Sequence, residues 1–90
     1  MRIAIVIFDG FDEIDAFVPL GLLSRTLGWK VQLAAPVARA TSLNGVTVDA
    51  QQPLAYANTA DAVLFGGNLY ARAIAAGIGK RGAPMAALKL

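Results

Sequence analysis

The sequence predicts an α/β domain built on an open, mostly parallel sheet with flanking helices. Three observations carry that prediction. A continuous apolar run, Ile3–Phe8, opens the chain. A helical apolar pattern follows it, and two more strand-forming runs, Lys30–Ala35 and Ala62–Phe65, come downstream. Continuous apolar runs suit parallel strands covered on both faces, whereas a strand with one wet face alternates. Strands separated by helical stretches are joined by right-handed crossovers, which keep the sheet parallel.

Each element has its own signal. After Ile3–Phe8, Asp12 is placed to cap a helix, with Glu13 and Asp15 in its first turn. Ile14, Phe17, Val18 and Leu22 recur at helical spacing, Leu23 and Leu27 widen the stripe, and Gly28 marks the stop. Pro36 closes the Lys30–Ala35 strand. Residues 38–50 hold Asn44-Gly45 between two β-forming runs, the signature of a hairpin with a type I′ turn. Residues 51–60 are polar and Ala-rich and predict one loose helical turn. Ala62–Phe65 ends at Gly66-Gly67. Beyond Tyr70, "YARAIAA" favours helix, "GIGKRGAP" breaks it, and "MAALKL" is read as resuming one.

Composition narrows the chemistry. Of 90 residues, 57% are apolar and 16% charged, so core-forming residues are plentiful for a single small domain. A chain this short buries a smaller share of its surface than a larger one, which predicts self-association, as a dimer or with a second half-domain. The net charge is +2, and after Asp61 the charged residues are Arg72, Lys80, Arg81 and Lys89, all basic. They are scattered without aromatic interleaving, so nucleic acid is not predicted as a partner. No apolar run reaches the length of a membrane span, and the reading is cytoplasmic. The chain contains no Cys and no His. That excludes a Ser-His-Asp or Cys-His nucleophile and a closed zinc site made from this sequence alone. No cofactor or metal is expected.

The densest polar feature is "DGFDEIDAFVP", residues 9–19, which holds four of the six acids within the span from Asp9 to Asp15. It lies at the carboxyl end of the first strand, where sites gather in open α/β sheets. Asp12 and Glu13 are sufficiently explained by capping and the helix dipole, and Asp9 by turn chemistry beside Gly10. For Asp15, both a dipole role and a site-lining role fit. Pro19 lacks the N–H that bonds the residue 15 carbonyl, which predicts a distorted turn there. Gly66-Gly67 fits either a plain turn or a backbone anion site. "GIGKRG" (Gly77, Gly79, Gly82) matches a dinucleotide-binding pattern in letters only, since it follows an Ala-rich helical stretch instead of a strand. Trp29, Tyr56 and Tyr70 read as packing residues.

Residues 2–69, in particular "RIAIVIFDGFDEIDAFVPLGLLSRTLGWKVQLAAP" and "DAVLFGG", resemble the N-terminal half of the ThiJ/PfpI family. That family lies within the class I glutamine-amidotransferase-like superfamily, and the resemblance is nearest its isocyanide-hydratase-like and regulator-associated branches. It rests on Asp15 with Pro19 four residues on, followed by Leu20, Leu22 and Leu23. The resemblance implies a flavodoxin-like sheet, truncated, with residues 70–90 a divergent Ala-rich basic tail. It also implies a cysteine-dependent hydrolase or lyase acting on a small-molecule substrate such as an isocyanide, an α-oxoaldehyde or an amide. Asp15 then matches the acid that hydrogen-bonds the nucleophilic cysteine. Gly66 and Gly67 match the pair whose backbone N–H groups face the oxyanion. The cysteine itself is absent, and Phe65 and Gly21 stand where many relatives have Pro and Glu. The expectation is therefore a domain without the family's activity as an isolated chain. A non-catalytic ligand-sensing or interaction domain and a non-functional remnant are the other readings.

Overall fold

The computed structural model describes residues 1–67 and 87–89. Among the described residues, seven strands, one α-helix and one 3-10 helix follow one another: β1 (Arg2–Val6), α1 (Glu13–Leu23), β2 (Lys30–Ala35), β3 (Arg39–Thr41), β4 (Thr47–Asp49), β5 (Gln52–Pro53), the 3-10 helix Leu54–Thr59, β6 (Ala62–Phe65) and β7 (Ala87–Lys89). The main sheet has the order β5-β2-β1-β6-β7 and every pairing in it is parallel. β3 and β4 form a separate antiparallel ribbon.

The apolar run of β1 is explained by its central place. Ile3 to Ile7 are all buried, and alternation divides them between two cores. Ile3, Ile5 and Ile7 face α1 together with Val31, Leu33 and Leu64. Ala4 and Val6 face the 3-10 helix with Ala34, Val63 and Phe65. Phe11, fully buried although it lies in a loop, joins the first core and meets Phe17 edge-to-face at 5.7 Å.

The helix begins where the sequence places it but shows a different face. Asp12 caps it, Oδ1 accepting from the N–H of Ile14 at 2.8 Å and of Asp15 at 3.4 Å. The face turned inward is Ala16, Phe17, Leu20 and Leu23, whereas Ile14, Val18 and Leu22 are exposed. Phe17 and Leu23 of the predicted stripe are thus packed inward, while Ile14, Val18 and Leu22 satisfy the same spacing and are exposed, as is Leu27, so periodicity alone does not choose the covered face. The helix runs on through Pro19 and ends at Leu23, five residues before Gly28. Arg25 and Thr26 donate to Leu22 and Leu23, the tightened i→i−3 bonding of a helix end. Gly28, at φ +82, turns the chain into β2 instead of stopping the helix.

Three further expectations change. The hairpin exists, but its turn is not type I′, because Asn44 has a negative φ and Gly45 alone is left-handed at +85. The Ser42 N–H donates to the Val46 carbonyl and closes the three-residue loop Leu43–Gly45, a longer hairpin connection. β5 was not expected. Its two residues pair with Ala34 and Ala35 at the sheet edge, where Pro53 is tolerated. Ala87–Lys89 is a strand beside β6, not a resumed helix. The open edge of β6 offers it a full ladder, which overrides a weak local helix preference. The predicted loose turn within 51–60 is the 3-10 helix. The helix expected at Tyr70–Ala76 and the "GIGKRG" run lie outside the described residues.

Candidate functional site

β1 has β2 on one side and β6 on the other, so the chain leaves its carboxyl end in one direction and returns on the opposite flank. That reversal is the switch point at which open α/β sheets place their ligands. Residues 7–12 follow β1 at this end, and Gly66-Gly67 follows β6.

The two segments are stitched together. The Asp12 N–H donates to the carbonyls of Gly66 and Gly67, at 3.0 and 2.8 Å. The Gly66 N–H donates to Val6 at 2.9 Å, extending the β1–β6 ladder by one rung. Gly66 is crowded, since a Cβ there would lie 3.2 Å from Ile7 Cγ2 and 3.4 Å from Ala16 Cβ. Gly67 is required by conformation and by its neighbour. Its φ is +55, and a Cβ would collide with Oδ2 of Asp15. The first turn of α1 thus brings the Asp15 carboxylate directly over the Gly67 backbone.

These contacts distribute the four acids. Asp9 Oδ1 accepts from the Thr41 N–H at 3.0 Å, Glu13 Oε1 from the Asn44 side-chain amide at 3.0 Å, and Asp12 caps the helix. Asp9 and Glu13 hold the β3–β4 ribbon against the loop, helped by backbone bonds from Gly10 to Thr41 and from Leu43 to Phe11. Asp15 is half-buried and its carboxylate has no hydrogen-bond partner among the described residues. Of the two glycine amides, Gly66's is occupied by Val6, and Gly67's is unpaired among the described residues. The ribbon contacts have no sequence signal beyond the Gly10 turn, because their partners are about thirty residues apart.

Beside this site, beyond the ends of β1 and β2, an open groove of about 360 Å³ is lined by Ile7, Phe8, Asp9, Pro36, Val37 and Ala40. Its walls are apolar apart from Asp9, whose carboxylate is already bonded to the ribbon.

Known structures share this fold. A DJ-1 superfamily protein from Salmonella typhimurium, solved as a variant with one cysteine changed to alanine, superposes with a TM-score of 0.75 at 22% identity. A DJ-1 superfamily protein from Agrobacterium tumefaciens gives the same two values. The fold is the DJ-1 superfamily fold. The match covers 98% and 99% of this chain but 54% and 52% of those two, so the chain spans about half the length of the DJ-1-fold structures it matches. An AraC family transcriptional regulator from Pseudomonas putida superposes over 98% of this chain, with a TM-score of 0.59 and 18% identity. No family model and no curated protein matches the sequence. The ThiJ/PfpI resemblance of residues 2–69 is therefore supported at the level of fold, in the flavodoxin-like, half-length form that it implied.

Proposed function

We propose that this chain carries one half of a site for a small electrophile, and that it lacks turnover by itself because it has no thiol. The observation that carries the reading is the Asp15 carboxylate packed on the Gly67 turn at the switch point of the sheet. In a cysteine-dependent hydrolase or hydratase, a thiolate adds to the electrophilic carbon and the displaced π electrons collect on the attached oxygen or nitrogen. A carboxyl beside the thiol governs how readily the thiolate forms. A fixed backbone N–H aimed at the developing anion lowers the barrier. In this reading Asp15 takes the first role. Gly67 takes the second, while the Gly66 amide serves the sheet. The substrate class is that of the resemblance: an isocyanide, an α-oxoaldehyde or an amide.

Two measurements test it together. The purified chain is expected to give no turnover of methylglyoxal, an aliphatic isocyanide or a small amide above the buffer rate. Titration with the isocyanide or the amide is expected to shift the Gly67 amide resonance, and to do so less in Asp15→Ala. Turnover by the isolated chain that Asp15→Ala abolishes contradicts the proposal, because the chain would then need no outside thiol.

A non-catalytic ligand-sensing domain is the second reading, supported by the fold shared with an AraC family regulator. It predicts saturable binding of a small ligand that is indifferent to Asp15→Ala.

A further inference from the structure

We propose that Asn44 is a self-modifying residue whose deamidation releases the tip of the β3–β4 ribbon from the start of α1. Its side chain cyclises onto the Gly45 backbone nitrogen, loses ammonia and hydrolyses to aspartate or isoaspartate. The inference does not rest on the reading of the site at Asp15.

Three features of the loop Leu43–Gly45 favour the reaction. The residue after Asn44 is Gly, so no side chain shields the attacking nitrogen, and nothing lies within 4 Å of where a Cβ would stand. Residues 43–47 are all exposed, so water reaches the amide and the loop deforms without disturbing a core. One turn bond, from the Gly45 N–H to the Ser42 carbonyl at 3.0 Å, holds the nitrogen. The backbone freedom of glycine lets that turn open toward the attacking geometry. Of the other asparagines, Asn58 precedes the β-branched Thr59 inside the 3-10 helix, and Asn68 precedes Leu69. Each is followed by a side chain where Asn44 is followed by none.

The steps need only the chain and water. The Gly45 nitrogen bonds to Asn44 Cγ as the Cγ–Nδ2 bond breaks, and the displaced proton leaves with Nδ2 as ammonia. Water then opens the cyclic imide. Opening at Cγ restores the normal backbone and gives aspartate. Opening at the main-chain carbonyl gives isoaspartate, in which the backbone runs through Cβ and Cγ.

Position 44 is where the ribbon grips the helix. Asn44 Nδ2 donates to Glu13 Oε1 at 3.0 Å, and the neighbouring Leu43 N–H donates to the Phe11 carbonyl at 2.8 Å. Either product replaces the amide donor with a carboxylate, which the Glu13 carboxylate repels. Isoaspartate also lengthens the main chain of a loop closed between Ser42 and Val46. The Thr41 N–H, held by Asp9 Oδ1 at 3.0 Å, lies outside the change. The modification therefore frees the ribbon tip and leaves its base attached.

Incubation of the purified chain at mildly alkaline pH tests the chemistry, read by peptide mass spectrometry and isoaspartyl methyltransferase labelling. Conversion at Asn44 is expected to exceed that at Asn58 many-fold, and to be absent over the same period in Asn44→Gln. Hydrogen exchange tests the consequence. The converted chain and Asn44→Asp are both expected to exchange faster than fresh wild type at Ser42, Leu43, Gly45 and Val46, with Thr41 unchanged. Adding Glu13→Gln to Asn44→Asp is expected to restore the slow exchange, because the glutamine amide then donates to the new carboxylate. A cooperative unfolding transition confirms that each variant folds. An Asn44 that stays intact while a free peptide of residues 40–49 converts, or equal conversion at Asn58, overturns the proposal. So does unchanged exchange in Asn44→Asp, or no rescue by Glu13→Gln.

Discussion

Replacing Gly67 by Ala tests the geometry of the candidate site without any need for a substrate. Two separable costs arise. At φ +55 an L-residue with a Cβ is strained, by about 1–2 kcal/mol. The new methyl group also enters the space of Asp15 Oδ2. To make room, Asp15 must leave its rotamer or the first turn of α1 must shift, at a further cost of about 0.5–1.5 kcal/mol. Gly67→Ala is therefore expected to destabilise by about 2–3 kcal/mol in urea-induced unfolding, at a fixed protein concentration. In an Asp15→Ala background the collision vanishes while the backbone strain remains, so the cost falls to about 1–2 kcal/mol. The difference is a coupling energy of about 1 kcal/mol between two residues in contact, within the usual range for such pairs. Gly66→Ala is the control. Its methyl group meets Ile7, Ala16 and the Val6 carbonyl, so it costs about 1–3 kcal/mol by overpacking, with no dependence on Asp15. Equal costs for Gly67→Ala in both backgrounds refute the placement of Asp15 over the glycine turn.

The acids of the same loop are expected to separate by role. Asp12→Ala removes a helix cap and costs about 1 kcal/mol, while Asp15→Ala forfeits only a dipole interaction of about 0.3–1 kcal/mol; denaturant midpoints rank the two, and the reverse order contradicts the assignment. Phe11→Ala empties a fully buried position and is expected to cost about 3–5 kcal/mol. Because Phe11 also joins α1 to the ribbon loop, hydrogen exchange in Arg39–Asp49 should accelerate in that variant; unchanged exchange there refutes the coupling.

What the sequence discloses follows from where the causes lie. β1, β2 and β6 are legible because their burial is written residue by residue, in runs that suit a covered strand. The Asp12 cap is legible because it acts over two and three residues. The face of α1 is not, since the helix carries two apolar stripes, Ile14-Val18-Leu22 and Ala16-Leu20-Leu23, and only the position of the sheet decides which is covered. β5 and β7 are short strands that owe their form to the edges they pair with. Phe11 escapes notice for a related reason. It lies among acids and glycine in a turn, yet the ribbon folds over it and makes it core.

The same reasoning bears on Asp15. A loop that must end a strand, start a helix and anchor a ribbon needs hydrogen-bond acceptors for exposed backbone and amide donors, and carboxylates are strong acceptors. Asp9, Asp12 and Glu13 each meet one such need with a defined hydrogen-bond partner. Clustering of acids at the end of β1 is thus explained by folding for those three. Asp15 is distinguished by its neighbour: its carboxylate occupies the space that a Cβ on Gly67 would take. A position occupied only for the helix dipole would be served equally well by a carboxylate turned to solvent. The direct packing of Asp15 on the glycine turn couples the helix start to the end of β6, and that coupling is why the proposed site is centred on it.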